Sequence, residues 1–156
     1  MERVPYYISL PILTTLLMTT LIYLMMNLLL DTHTLLWCIE NHPDLSKKAL
    51  LLIDDLNNDI FVSMVSFYEV AIKVNIGKMK LGKTIEAFYR QTIIAKIEVL
   101  PISPIHLNAL SSLPLFPNHK DPFDRLIIAT ALTENLPIIS ADNKFALYKE
   151  LVDIVW

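Results

Sequence analysis

Short apolar runs that end in an acid or a hydroxyl alternate along this chain with longer stretches whose apolar residues recur at helical spacing. The first run, Asn27-Leu28-Leu29-Leu30-Asp31, is continuously apolar, as a parallel strand buried on both faces has to be. A helix is expected over Thr32 to Glu40, closed by Pro43, and a second over Ser46 to Leu56 with Asp54 and Asp55 on its solvated face. Leu45, Leu51, Leu52 and Leu56 give that helix an apolar side suited to packing or to a dimer face. Asp59 to Ser63 reads as the second strand. Ser66 then opens a helix that runs to about Ile76 and stops at Gly77. Thr84 to Lys96 makes a further helix, Glu98 to Ile102 a third strand, and Pro104 to Leu113 another helix. After a loop over Pro114 to Lys120, Pro122 suits a first helical turn, where its missing N–H is one that would lack a partner anyway. That helix ends at Asn135-Leu136-Pro137, because the residue before a proline is pushed out of the α region. Ile138-Ile139-Ser140 is a short buried strand, Asn143 to Glu150 the last helix, and Asp153 to Trp156 a closing strand.

Strands alternating with helices imply an α/β fold, a three-layer sandwich whose mostly parallel central sheet is covered on both faces. Right-handed crossovers then bring the carboxyl ends of the strands to one edge. A site is expected in the crevice outside that edge, where the strand order reverses.

The chain has 156 residues, enough for one domain with an appendage, and is 54% hydrophobic. The excess lies at the start. Val4 to Leu30 carries no charge, and Tyr6 to Met25 is about the length of a bilayer-spanning helix. Pro5, Pro11 and four threonines make it an imperfect one, and no small-residue cleavage site marks a secretory signal. Alternatively the natural protein starts at Met25 or Met26, which the absence of a polar spacer before Asn27 favours. The expected division is therefore an apolar extension over residues 1–25 and a domain over 26–156. The domain is expected in the cytoplasm, or tethered to a membrane through residues 6–25 if that segment is an anchor. Thirteen basic residues against 16 acidic leave a net charge of −3, so no global basic field marks a nucleic-acid partner. The single cysteine, Cys38, excludes an internal disulfide and reads as packing.

Candidate chemistry lies with four acids. Asp31 follows the first strand, Glu69 lies in the first turns of the helix after the second, Asp124 opens the helix after Pro122, and Asp142 follows the fourth strand. All four map to the same sheet edge. Each singly suits a helix N-terminus, and Ser66-x-x-Glu69 satisfies a capping box, so capping is the plain alternative. Capping explains the set less well than it explains each member. Clustered carboxylates repel and need a cation between them, and oxygen donors without a His or Cys cluster select Mg²⁺ or Mn²⁺.

These residues carry a resemblance. Asn27-Leu-Leu-Leu-Asp31-Thr32, Ser66-x-x-Glu69, Asp121-Pro-Phe-Asp124-Arg125-Leu-Ile-Ile-Ala129 and Ser140-Ala-Asp142, in that order, resemble the PIN domain. More narrowly they are similar to VapC-type toxin ribonucleases that carry His-x-Asp-Pro-Phe-Asp-Arg. The Asp-Pro-Phe-Asp-Arg block with the other three acids is the specific part, and the likeness spans about Met26 to Trp156. It implies a Mg²⁺- or Mn²⁺-dependent endoribonuclease acting on RNA, with a VapB-type antitoxin as partner and commonly a homodimer. It also implies Asp31, Glu69 and Asp124 as core metal ligands, with Asp142 as a fourth acid.

Neighbouring residues have less settled readings. Thr32 either meets a ligand or caps its helix, and Ser140 either orients a carboxylate or packs at a strand end. Asp121 either assists the metal site or caps the helix before Pro122. Arg125 is expected to contact phosphate or pair with the acids, or else to form a weak surface pair. His33 and His119 lack metal-spaced partners and read as structural or surface residues. Lys73, Lys78, Lys80 and Lys83 form an acid-free segment, either a guide for an RNA backbone or a solvated face. Phe67 and Tyr68 read as core. An aspartyl-phosphate phosphatase would need a second Asp two residues after Asp31, where His33 stands. The remaining rival is a catalytically inactive PIN-like RNA- or protein-binding module.

Overall fold

The structure is a computed structural model that describes residues 26–156. The expectations for residues 1–25 (extension, membrane segment, misplaced start) lie outside the described residues. Among the described residues no helix is long and apolar enough to cross a membrane.

The described residues form five strands: β1 (Asn27–Leu30), β2 (Asp59–Ser63), β3 (Ile97–Leu100), β4 (Ile138–Ile139) and β5 (Ile154–Val155). Six α-helices join them: α1 (Thr32–Glu40), α2 (Lys47–Asp54), α3 (Met64–Asn75), α4 (Ile85–Ile94), α5 (Pro104–Ser112) and α6 (Pro122–Glu134). All strands are parallel, in the order β3-β2-β1-β4-β5. The chain builds outward from β1 in one direction through β2 and β3, then returns to lay β4 on the other side of β1. The reversal between β1 and β4 is the point where crossovers diverge and a crevice opens.

The sheet is buried on both faces because its strands are apolar at consecutive positions. Leu28 and Leu30 face a layer with Leu35, Ala49, Phe67, Val70 and Phe88, while Leu29 joins Ile127, Ile128, Phe145 and Tyr148 on the other side. Side chains supply the missing partners of the helix starts: Asp31 for α1, Ser46 for α2, Thr84 for α4 and Asp121 for α6. Asn41 and Asn135 close α1 and α6 in the left-handed conformation.

Three expectations change. The helix after β2 starts at Met64 with Ser63 as its cap, the Ser63 hydroxyl accepting from Val65 N at 3.3 Å. Ser66 and Glu69 therefore lie inside the helix, and the capping-box reading of Glu69 falls. The last helix is a 3₁₀ helix over Asn143–Tyr148, ending short of Glu150. Arg125 neither pairs with the acids nor lies on the surface. It is buried, and its guanidinium donates to Pro114 O at 2.7 Å, Tyr148 Oη at 3.0 Å and Leu113 O at 3.1 Å. A planar five-donor fork suits these three acceptors, two carbonyls of the turn between α5 and α6 and the phenol of the 3₁₀ helix.

Arg125→Met keeps most of the buried stem but leaves those carbonyls without their charged donor. A loss of about 2–3 kcal/mol in urea unfolding is expected. An unchanged midpoint would mean the turn is held by other contacts.

Candidate metal and catalytic site

Asp31 is the residue after β1 and the cap of α1, so its position is fixed by strand and helix together. It is 3% exposed. One carboxylate oxygen accepts from Thr34 N at 2.6 Å, and the other accepts from the Ser140 hydroxyl at the end of β4. The bond to Ser140 crosses the β1–β4 reversal. Burial holds the Asp31 carboxyl above its ordinary range, while the bonds from Ser140 and Thr34 pull it back.

Glu69 projects from α3 and is 2% exposed. Both of its oxygens are occupied. The Thr32 hydroxyl donates to Oε2 at 2.5 Å, and the Lys73 ammonium, one turn along α3, meets Oε1 at 2.5 Å. Ser66 Oγ lies 3.1 Å from the Thr32 hydroxyl and fixes it from behind. Thr32 is thus an orienting residue for Glu69, not a helix cap.

Asp124 lies in the first turn of α6. Its Oδ2 accepts from the imidazole Nε2 of His119 at 3.0 Å. Burial pushes its carboxyl up to about 6. The His119 bond opposes that shift, and the charges of Asp121 and Glu69 add to it. Asp124 therefore feels Glu69 across the edge, although the two belong to different helices.

Asp121 is the cap of α6, accepting from Phe123 N at 2.9 Å and Asp124 N at 3.4 Å. Asp142 caps the 3₁₀ helix by accepting from Lys144 N at 2.8 Å. Its link to the other acids is Ser140, whose hydroxyl oxygen accepts from Asp142 N at 3.1 Å. Asp31, Glu69, Asp124 and Asp142 thus all stand at the carboxyl edge of the sheet, where Asp124 senses the charge of Glu69 and Ser140 links Asp31 to Asp142.

In kind the donor set fits a hard divalent cation, since it consists of carboxylates with no thiolate among them. In position each carboxylate is bonded to a protein partner, and among the described residues no three of His, Cys, Asp and Glu stand together closely enough to hold an ion. An ion at this edge would be held through the carboxylate lone pairs that those bonds leave free.

A family model described as PIN domain matches residues 28–151. The chain belongs to the PIN domain family. No curated protein matches it. Solved structures similar to this PIN domain include FitAcB from Neisseria gonorrhoeae, with a TM-score of 0.58 at 16% identity over 83% of this chain and 96% of that one. VapBC-1 from nontypeable Haemophilus influenzae gives 0.57 at 19%, over 83% and 97%. VapBC2 from Rickettsia felis, solved bound to a DNA fragment from its promoter, gives 0.53 at 20%, over 83% and 98%. At such identities the likeness is one of fold.

Two residues of this PIN domain were not read from the sequence as parts of the site. Lys73 read as part of a lysine segment, an RNA guide or a solvated face, but it is committed to Glu69. The i, i+4 spacing was its only signal. His119 looked structural. Its ring is fully buried against Phe145 and Tyr148, and its Nδ1 has no hydrogen-bond partner. Its place at the head of the His-x-Asp-Pro-Phe-Asp-Arg block, five residues before Asp124, hinted at the contact. Tyr68 also departs from expectation, being 59% exposed and edge-on to Phe123, whereas Phe67 is core.

A carboxyl raised in the folded state binds its proton more tightly there than in the unfolded chain. Asp124 therefore contributes stability at low pH, and this is lost as pH rises through about 6. Asp124→Asn removes that titration. Without divalent ions, the variant is expected to gain on the wild type between pH 4 and 7.5, by at most about 3 kcal/mol. A pH-independent difference in unfolding free energy would contradict the raised value.

Proposed function

We propose that this PIN domain is a Mg²⁺- or Mn²⁺-dependent endoribonuclease, the toxin of a type II toxin–antitoxin pair. A VapB-type antitoxin restrains it in the cytoplasm, and the toxin itself is a homodimer. One observation carries the nuclease reading. Three carboxyl groups from β1, α3 and α6 are buried at one sheet edge, and each is aimed by a donor from another segment or turn. A protein using these acids only as helix caps has no reason to bury Glu69, which caps nothing. The toxin reading is supported by the fold's likeness to VapBC and FitAB assemblies.

Asp31, Glu69 and Asp124 are the residues that would hold the ion. When bound, it supplies an activated water and steadies charge on the phosphoryl group. Ser140 fixes the rotation of Asp31, Thr32 that of Glu69, and His119 that of Asp124. Lys73 balances charge at Glu69. Asp142, which spends one oxygen on its own 3₁₀ helix, would be the fourth acid beside Ser140.

Incubation of purified, antitoxin-free protein with cellular RNA tests this directly. Cleavage is expected with Mg²⁺ or Mn²⁺ and not with EDTA. Thr32→Val and Ser140→Ala, which keep the carboxylates and remove only their donors, are expected to lose about 10–100-fold. Asp31→Asn, Glu69→Gln and Asp124→Asn should lose more than that. Overproduction should arrest growth in the wild type and not in Asp124→Asn. Full cleavage by Asp124→Asn would overturn the assignment, and well-folded protein that cleaves no RNA would favour a binding module.

A further inference from the structure

We propose that the cavity beside Ser140, walled by Trp156, is the subsite for a nucleobase flanking the scissile phosphate, and that it selects bases bearing an exocyclic amino group. This rests on the nuclease reading above and gives that site its base preference.

The cavity has a volume of about 410 Å³, and Ser140, Asp142, Asn143, Lys149, Asp153 and Trp156 line it. That lies within the range of small-ligand pockets, about 300–1,000 Å³. Its place relative to the acids is set by backbone. Ser140 N donates to Val155 O at 3.1 Å, which puts Trp156 one residue beyond the rung that holds Ser140. Ser140 also donates to Asp31. One residue therefore borders both the cavity and the first acid, so a nucleotide bound at the acids has the cavity within reach of its base.

The lining matches a base better than a phosphate. The Trp156 indole is 36% exposed and is buttressed by Trp37, with ring centroids 5.7 Å apart, and Trp37 in turn stacks on His42 at 6.0 Å. A fixed aromatic ring is the element that binds unpaired bases by stacking. Asp142 and Asp153 bring carboxylates, which accept hydrogen bonds and donate none when ionised. Asp142 spends Oδ1 on Lys144 N and has Oδ2 to offer. An amino group on adenine, cytosine or guanine satisfies such an acceptor, as carboxylates do with the cytosine amino group elsewhere. Uracil has a single ring N3–H donor flanked by two carbonyls that meet the carboxylates acceptor to acceptor, and is disfavoured. Lys149 supplies the one cation of the lining, for the adjoining phosphate.

The test uses the full chain. The sequence has two tryptophans, so Trp37→Phe leaves Trp156 as the single indole reporter. In EDTA, titration with AMP, CMP, GMP and UMP is expected to give saturable quenching by the amino-bearing nucleotides, with UMP about tenfold weaker. Asp142→Asn, which replaces an acceptor by an amide, should shrink that ratio. On RNA oligonucleotides, Trp156→Ala is expected to raise KM about tenfold for substrates with an amino base beside the cut, and Trp156→Phe should restore most of it. No saturable quenching by any nucleotide, or equal quenching by UMP and CMP, would overturn the subsite. Selective quenching by a protein that cleaves no RNA would sustain the subsite and sink only the nuclease reading. Cleavage with no base preference and no quenching would do the reverse.

Discussion

A hydroxyl at the end of β4 donates to a buried carboxylate at the end of β1, and the rest of the site is laid out from that bond. Parallel neighbours bring Ser140 and Asp31 to the same level, because Leu29 pairs with Ile138 and Leu30 with Ile139. The crossovers leave these two strands in opposite directions. A carboxylate buried there is tolerable only if its oxygens are bonded. Thr34 N and Ser140 meet that demand. Once Asp31 is pinned, Thr32 follows at the next position and reaches Glu69.

Charge is the second constraint. Two acids that are almost fully buried and a third that is largely buried share one edge. The Lys73 ammonium and the His119 imidazole are the groups bonded to two of them. Asp124 shows the remaining imbalance, with its carboxyl near 6 from burial and from the charges of Asp121 and Glu69. A folded protein retains such an arrangement at a cost in stability, which is the usual signature of a working site. The hydrogen bonds from Thr32, Ser140 and His119 restrict each carboxylate to one orientation, as second-shell partners do around metals.

Much of this was legible in the sequence. Leu28 to Leu30 had the pattern of a strand buried on both faces, and Pro122 marked the first turn of α6. The order of acids after strands identified the edge. What escaped depended on distances that no local pattern encodes. Ser63 and Ser66 are equally good caps on paper, and the sheet register, which runs β2 through Ser63, decided for the first. Arg125 sits beside Asp124 in sequence but is one position further around α6, so it points to the α5–α6 turn. Lys73 and His119 were visible as residue types, but which of several acids each would meet was not: Lys73 meets Glu69 one turn back along α3, and His119 meets Asp124 through the loop that enters α6. The last helix tightened to 3₁₀ over six residues.

The most direct test of the central claim, that these three carboxyls form a cation site, is a calorimetric titration with Mn²⁺ at pH 6 and at pH 8. Each titration is run in two buffers of different ionisation enthalpy. With Asp124 near 6, binding is expected to release about half a proton at pH 6 and almost none at pH 8. Asp31→Asn, Glu69→Gln and Asp124→Asn are each expected to abolish or severely weaken binding. Mn²⁺ binding that is indifferent to all three substitutions, or no binding by the folded wild type, would contradict the claim.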